Sequence, residues 1–374
     1  MTVIRSVASR LLLLVASLAL ALLIGEAVLR VFKPQPIGFD IEAIWEPAQG
    51  IGRRAKPNVD VQVNTGERNA RFVTDVAGHR VSPSPKPPGQ FRVLAVGDSM
   101  LQAIQVDYEQ TMTALLERAL TAALGRNVDI VNAGMAGWDP NQYLIAARSE
   151  LQRSRYDLML VFVYLENDIV GRRVASFPPA MGLVAPVLRP FEERPALTFE
   201  KAMDRARAWL RRHSHLFVYG DNLTRLLAVR SGTREHLLTN ALRAHASAPV
   251  WSVTADILAD ISVAAEGTRT PVQYVLLPSI HSIDPQSLSK LEWAFGIAHA
   301  DVDVAQPAQR MTAELSARGL QVVDATPALK KAFDAGEREL YGRVDLHFAL
   351  AGHRIMAGFL EPILRDRLTA AAPR

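Results

Sequence analysis

The stretch FRVLAVGDSM, residues 91–100, is an apolar run that breaks at a glycine into Asp-Ser. A buried parallel strand is a near-continuous apolar run, and in open α/β sheets ligands bind just beyond the carboxyl ends of such strands. Leucines and alanines then recur at helical spacing over residues 108–124. A strand, a tight turn and a helix thus follow one another in the sequence. This arrangement predicts that Ser99 lies at the entrance of a site, exposed as a nucleophile.

Four further apolar runs have the character of strands and are separated by helical patterns. They are residues 128–132, 158–165, 271–278 and 320–324. Five strands that alternate with helices predict a doubly wound, mainly parallel five-stranded sheet with flanking helices, which is a three-layer α/β fold.

A nucleophilic serine needs a base and an orienting acid, and the sequence GRVDLHF near the end of the chain offers both. A neutral imidazole can take the serine proton near neutral pH, so we expect His347 to be the base. Asp345 is the nearest carboxylate that could hold the other ring nitrogen and stabilise the imidazolium.

Two other predicted strands end in groups that could stabilise an oxyanion. The second strand runs into AGMAGW, whose glycines allow a backbone N–H to approach a substrate closely. The third strand runs into Glu-Asn-Asp, which places the amide of Asn167 at the same edge. We therefore expect an oxyanion hole made of the N–H groups of Ser99 and Gly137 and the side chain of Asn167.

These four blocks, in this order and spacing, resemble the SGNH (GDSL-type) hydrolase superfamily over residues 92–364. The resemblance implies the flavodoxin-like fold of that superfamily, with Ser99 as nucleophile and first oxyanion donor, Gly137 and Asn167 as the other donors, and Asp345 and His347 as acid and base. Gly134 replaces Gly137 if the turn register differs by three. Residues 71–80 also look like the lead-in of membrane-anchored bacterial members.

The chain departs from the superfamily pattern at the rim of the site. Ala103 and Gln105 stand where glycines usually follow the nucleophile, and Leu165 and Glu166 precede the third-block asparagine. A bulkier and more polar rim would narrow the acyl pocket. The acid lies two residues before the histidine, and this spacing is similar to that of the alginate-type O-acetyltransferases, so acyl transfer stays open beside hydrolysis.

Composition limits the other classes of function. The chain has 374 residues, 49% of them hydrophobic, which is enough for a large core. A net charge of +4 without a Lys/Arg stripe interleaved with aromatics argues against nucleic-acid binding. The absence of cysteine excludes disulfides and cysteine catalysis. We expect no metal and no cofactor, since His213 and His215 lie two residues apart on a predicted helix and lack further ligands nearby.

The first 33 residues predict a membrane segment. Residues 11–25 carry no charge, and the apolar stretch reaches spanning length if Glu26 sits at the interface and Arg30 snorkels. A cleaved signal peptide is the alternative, but no clear cleavage site follows the run. We favour an uncleaved single-pass anchor in a bacterial inner membrane, with the catalytic domain outside, in the periplasm.

The rest of the chain divides into three parts. Residues 34–90 predict an extended membrane-proximal segment that ends in a proline-rich loop, and residues 91–374 form the catalytic domain. Residues 171–250, rich in Arg and Pro, exceed an ordinary crossover and predict a helical insertion. Trp138 and His281 are candidates to line the pocket. Asn132 is expected to be a buried hydrogen-bonding residue beneath the site.

The sequence thus predicts a membrane-anchored serine esterase that acts on O-acyl esters of envelope or exported carbohydrate, or on a lipid-like ester. Two alternatives remain open. One is O-acetyl transfer to a polysaccharide hydroxyl by the same residues. The other is a non-catalytic envelope accessory or binding module, because a fold does not fix a function.

Overall fold

The structure is a computed structural model that describes residues 2–35, 37, 41–65, 67–86, 88–169, 198–230, 242, 248–343 and 346–370. Its centre is a five-stranded sheet. The strands are β5 (Phe91–Val96), β6 (Val128–Asn132), β7 (Leu158–Tyr164), β8 (Val272–Leu277) and β9 (Val322–Asp324). All neighbouring pairs are parallel, in the order β6-β5-β7-β8-β9. The predicted fold class is confirmed.

Both faces of this sheet are buried, which explains the near-continuous apolar strands. In β5, Val93 and Ala95 contribute to the apolar core on one face, and Leu94 and Val96 contribute to the core on the other. Every residue of the central strand β7 is buried. Alternate side chains of a strand point to opposite faces, so a strand covered on both sides must be apolar throughout.

Helices cover the two faces. One core lies between the sheet and α5 (Pro140–Arg153), α8 (Ala248–Glu266) and α10 (Gln306–Ala317). The other lies between the sheet and α4 (Met112–Leu124), α11 (Thr326–Asp334) and α12 (Leu350–Ala370). The remaining helices of this region are α3 (Ser99–Gln102) and α9 (Pro285–Phe295).

Helix boundaries follow local chemistry. The Thr111 hydroxyl accepts a hydrogen bond from the Ala114 N–H at the start of α4, and Gly125 ends that helix with φ of +62°. Asp139 and Gln142 form a capping box at the start of α5, where Pro140 occupies the first turn. These caps fix where the chain leaves the carboxyl edge of the sheet.

The segment before the sheet contains two antiparallel hairpins. They are β1 (Trp45–Ala48) with β2 (Gly52–Ala55), and β3 (Asp60–Asn64) with β4 (Asn69–Val73), after the short helix α2 (Ile41–Ile44). Valines alternate with polar residues over 59–63, which is the pattern of a half-buried strand and accounts for β3. Side chains of both hairpins, such as Trp45 and Phe72, belong to the core that includes α5, so this segment packs on the sheet domain.

Three further helices do not pack on the faces of the sheet: one precedes the sheet in the chain, and two lie in the long connection between β7 and β8. The N-terminal helix α1 spans Thr2–Phe32, and α6 (Thr198–His213) and α7 (His215–Arg230) fall within the predicted insertion at 171–250. The described part of that insertion is helical. Residues 170–197, 231–241 and 243–247 of this region lie outside the described residues.

Candidate active site

Three strand ends meet at the carboxyl edge of the sheet, as the parallel topology requires. The turn after β5 carries Ser99, the turn after β6 carries Gly137, and the turn after β7 carries Asn167. Ser99 is the first residue of α3, and the Asp98 side chain accepts a hydrogen bond of 2.9 Å from the Met100 N–H. Asp98 therefore organises the nucleophile turn as its cap.

The turn before α12 brings His347 to Ser99. His347 Nε2 lies 2.8 Å from Ser99 Oγ, although the two residues are 248 positions apart in the chain. This distance suits a hydrogen bond from the hydroxyl to an unprotonated Nε2. The preceding residue, Leu346, has φ of +60°. A non-glycine residue in this left-handed region is costly, and such residues concentrate at functional sites. Asp345, the predicted orienting acid, lies outside the described residues.

The Asn167 amide points to the nucleophile turn. Its Nδ2 donates a 3.2 Å hydrogen bond to Asp98 Oδ2. Within the described part of the chain, the buried Asn167 Oδ1 has no hydrogen-bond partner. An amide nitrogen carries two protons, so one can remain on Asp98 while the other is offered to a developing oxyanion.

The two glycines after β6 differ in what they do. The Gly134 N–H donates a 3.0 Å hydrogen bond to Asn132 Oδ1, and a Cβ there would lie 2.7 Å from Gln102 N. Gly134 thus allows the turn to pack against α3, and its N–H is already committed. Gly137 has φ of +74°. These facts favour Gly137 over Gly134 as the oxyanion donor.

Arg53 of the hairpin β1–β2 covers Gly137. A Cβ built on Gly137 would lie 1.7 Å from Arg53 Nη2, so only glycine leaves room for the guanidinium. Burial lowers the pKa of Arg53. The Trp138 indole N–H donates a 2.9 Å hydrogen bond to the Arg53 carbonyl, and Trp138 is 8% exposed. Trp138 therefore packs between the turn and the hairpin, and the cation beside Gly137 was missed by the sequence analysis.

The two other sequence candidates, His281 and Asn132, are buried. His281 is 6% exposed, and its Nδ1 lies 3.0 Å from Ser287 Oγ on α9. Asn132 is fully buried and donates from Nδ2 to the Leu101 carbonyl at 2.9 Å, which matches the role expected of it beneath the site.

The buried carboxyl groups of Asp98 and Glu166 interact electrostatically with His347, and that of Asp168 is buried near Asp98. Burial raises the pKa of Asp98, and the nearby His347 opposes this. Burial also raises the pKa of Glu166, against a 2.5 Å hydrogen bond from the Tyr164 hydroxyl and the influence of His347. Burial and Asp98 hold the pKa of Asp168 well above its usual range. Asp98 and Glu166 are therefore acidic groups close enough to His347 to interact with it electrostatically.

Arg80 supports the turn that follows Ser99, and the sequence analysis did not single it out. Its buried guanidinium donates from Nη1 to the carbonyl of Gln102 at 2.8 Å and also to that of Ala103, and from Nη2 to that of Val106. Ala103, which ends α3, has φ of +52°. Alanine is strained in this left-handed conformation, and the three hydrogen bonds from Arg80 hold the turn in place. The only sequence feature that could have drawn attention to Arg80 is its position at the end of the segment 71–80.

His79, next to Arg80, holds the lead-in against α5. Its Nδ1 lies 3.2 Å from Asp75 Oδ2, and its Nε2 lies 3.1 Å from Glu150 Oε1. Burial alone would lower the pKa of His79, but the hydrogen bonds and charges of the two carboxylates outweigh it and raise this pKa to about 9.

This raised pKa predicts a pH-dependent stability. A group whose pKa is higher in the folded state stabilises fully below its unfolded pKa of about 6.5, and the contribution is lost as pH rises through 9. We expect the free energy of unfolding to fall by on the order of 3 kcal/mol over this window. His79→Gln should flatten the pH dependence of the thermal midpoint. His299→Gln, which removes an exposed histidine paired with Glu292, should leave it unchanged; a flat wild-type curve would contradict the prediction.

The described residues show no group of three or more His, Asp or Glu side chains arranged to hold a metal ion. His215 Nδ1 accepts a 2.7 Å hydrogen bond from the Gln35 N–H, and His213 Nδ1 lies 2.8 Å from the Trp209 carbonyl oxygen. The two histidines thus serve different backbone contacts.

Comparison with known proteins gives structural matches alone. No protein-family model and no curated protein matches the chain. Among solved structures, a member of the lipolytic protein G-D-S-L family from Veillonella parvula matches with a TM-score of 0.38 and 12% identity, over 73% of this chain and 97% of that one. An acetylxylan esterase from Geobacillus stearothermophilus matches with a TM-score of 0.41 and 11% identity, over 75% and 96%.

A third match is a two-domain esterase active on acetylated mannans. It has a TM-score of 0.40 and 11% identity, and the match covers 76% of this chain and 51% of that one.

Proposed function

We propose that this protein is a membrane-anchored, extracytoplasmic serine esterase of the SGNH type that hydrolyses O-acyl esters. The observation that carries this proposal is the 2.8 Å approach of His347 Nε2 to Ser99 Oγ. An imidazole within hydrogen-bond distance of a hydroxyl, at the sheet edge where α/β folds bind ligands, supports a nucleophilic role for Ser99, and the Asn167 amide is bonded to Asp98 in the Ser99 turn.

The chemistry follows the usual two half-reactions of a serine nucleophile. Ser99 Oγ bonds to the ester carbonyl carbon while His347 Nε2 takes the hydroxyl proton, and the carbonyl electrons move onto oxygen. The N–H groups of Ser99 and Gly137 and the Asn167 amide receive the oxyanion. Its collapse breaks the bond to the alcohol, which takes the proton from His347. Water then attacks the acyl-enzyme in the same way and releases the carboxylic acid.

We propose a short acyl group, with acetyl favoured, on envelope or exported carbohydrate. Ala103, Gln105 and Leu165 stand at the rim positions where the resemblance to the SGNH superfamily implies glycine, and all three are buried. They take up space that a long acyl chain would need. The Arg53 guanidinium beside Gly137 offers N–H donors that suit sugar hydroxyls and carboxylates.

The anchor is α1. Its segment Arg10–Phe32 has 23 residues and a mean hydropathy of 2.5, and none of its most apolar window is buried inside the molecule. This length is sufficient to cross a bilayer. A signal sequence has the same properties, so we propose the uncleaved anchor on the additional ground that α1 makes specific polar contacts with the folded protein through Glu26.

Partitioning of the acyl-enzyme tests the proposed reaction against transfer. The full-length protein in detergent is incubated with an activated acetyl ester, with and without acetylatable glycans, and acetate and acetylated sugar are measured by mass. Acetate release that glycans do not change supports the esterase. Acetyl on glycan at the expense of acetate supports the O-acetyltransferase. Glycan binding without any adduct on Ser99 would support the accessory-module alternative.

Asn167→Ala tests the oxyanion role. Because the amide proton that is not bonded to Asp98 is expected to reach the oxyanion in the transition state but not the substrate before it, loss of the side chain should cost about 3–4 kcal/mol in kcat with little change in KM. Asn141→Ala, which removes another amide bonded to a capping aspartate, is the matched control and should leave kcat unchanged. A fall in thermal midpoint with normal kcat would show that Asn167 only organises the turn.

A further inference from the structure

The elbow between α6 and α7, residues 212–216, binds the C-terminal part of α1 through a polar pair. The Glu26 carboxylate accepts hydrogen bonds from Ser214 Oγ at 2.9 Å and from the N–H groups of His215 at 3.0 Å and Leu216 at 2.9 Å. Arg30 Nη2 donates to the His213 carbonyl at 2.8 Å. The negative charge of Glu26 thus lies at the N-terminus of α7 and the positive charge of Arg30 at the C-terminus of α6, as the helix dipoles favour.

Because Glu26 binds the elbow, its position along α1 determines how deep the elbow lies relative to the membrane. The uncharged run at 11–25 is about 22 Å long as a helix, against a hydrocarbon core of about 30 Å. Glu26 and Arg30 therefore lie near the membrane interface if α1 is the anchor proposed above, on which this inference rests. The elbow and the two helices that leave it then lie at the level of the lipid headgroups.

Helix α6 has the composition of an interfacial helix. Met203, Ala206 and Trp209 recur at helical spacing and are exposed, with Met203 45% and Trp209 59% accessible. Residues 198–230 hold seven Lys and Arg against three Asp and Glu, an excess equal to the net charge of the whole chain. Helix α7 also exposes Leu223 and Leu227. Exposed apolar side chains beside arginines are typical of helices that lie on a membrane surface.

A groove of about 1170 Å³ runs between α1 and the two helices. Its apolar wall includes Leu22, Leu23 and Phe217, and Arg207 and Arg211 also line it. Asp221 pairs with Arg211 at 2.8 Å, which leaves Arg207 as the basic group better placed for an added anion. An apolar channel beside a membrane helix, with a cation along its wall, matches a phospholipid in both chemistry and position.

We propose that α1, α6 and α7 form a binding site for an anionic phospholipid, with an acyl chain in the groove and the phosphate at Arg207. The α6–α7 pair thereby lies on the bilayer surface and sets the orientation of the catalytic domain relative to the membrane.

Depth measurements on the full chain test this placement, and the absence of cysteine makes single-cysteine labelling direct. Nitroxides are attached to Met203→Cys, Trp209→Cys, Leu18→Cys and, as the control, Val76→Cys, whose residue is 79% exposed in the lead-in. The protein is placed in nanodiscs of phosphatidylglycerol and phosphatidylcholine, and collision with oxygen is compared with collision with a water-soluble nickel chelate.

We expect Leu18→Cys to lie deep in the bilayer, Met203→Cys and Trp209→Cys at the interface, and Val76→Cys in water. Aqueous labels at positions 203 and 209 with a deep label at 18 would overturn the lipid site and leave the anchor intact. An aqueous label at position 18 would overturn the anchor and, with it, this inference.

The phosphate assignment has its own test. Arg207→Gln should lower the phosphatidylglycerol retained by the detergent-purified protein about fivefold, the effect of one basic residue near an anionic lipid. Arg155→Gln, an exposed arginine away from α1, is the matched control. Equal retention by Arg207→Gln and wild type would overturn the assignment of the phosphate to Arg207.

Discussion

Ser99→Ala should reduce ester hydrolysis by on the order of 10⁴-fold or more, while the thermal midpoint stays nearly unchanged. The Ser99 hydroxyl lies at the carboxyl edge of the sheet and is hydrogen-bonded to His347 Nε2. It is therefore expected to act as the nucleophile and to contribute little to packing. Steady-state turnover of a chromogenic acetyl ester and labelling by a fluorophosphonate measure the loss of the nucleophile, and thermal unfolding of the same preparation measures the midpoint. Labelling should disappear with the hydroxyl.

Ser279→Ala is the matched control for this variant. Ser279 follows β8 at the same edge of the sheet, but its hydroxyl accepts a 3.2 Å hydrogen bond from the His281 N–H and caps a short turn. We expect this variant to be labelled and active. Turnover that survives in Ser99→Ala would rule out the covalent mechanism.

Asp345→Asn should lower kcat by on the order of 10⁴-fold, because an amide cannot stabilise the imidazolium or hold the correct tautomer. The effect should fall on kcat at every pH, since it arises from the charge that His347 acquires in the transition state. Steady-state kinetics across pH, together with the thermal midpoint, would separate this loss from misfolding.

Glu166→Gln is the control that distinguishes Asp345 from the other acids near His347. Burial raises the pKa of Glu166, and its carboxylate is bonded to the Tyr164 hydroxyl, so its replacement should cost far less activity. A large loss in Asp98→Asn together with a normal rate in Asp345→Asn would assign the orienting role to Asp98, whose pKa also responds to His347.

The sheet was predictable because each of its strands is buried on both faces. An apolar run such as 158–165 permits few other structures, and the parallel arrangement then brings the ends of β5, β6 and β7 together without further information. The pairing of Ser99 with His347 followed from the chemistry that a displayed serine requires.

Contacts between distant segments could not be predicted in the same way. Arg53 covers Gly137 across 84 positions of the chain, and Glu26 caps α7 across 189. Neither contact leaves a periodicity, because each depends on how separate units pack. The left-handed turn at Ala103 was hidden for a related reason, since the residue there is not glycine and the bonds that hold the turn come from Arg80.

The Arg80 side chain also limits how far the chain can be shortened from its N-terminus. A fragment that begins at Phe91, the first residue of the sheet, would lack the cation that the carbonyls of Gln102, Ala103 and Val106 share. It would also expose the sheet-domain surface now packed against Trp45 and Phe72. A soluble form for assay or crystallisation should therefore begin ahead of Ile41, just after the anchor, because the hairpins before the sheet are part of the smallest piece able to hold the serine in place.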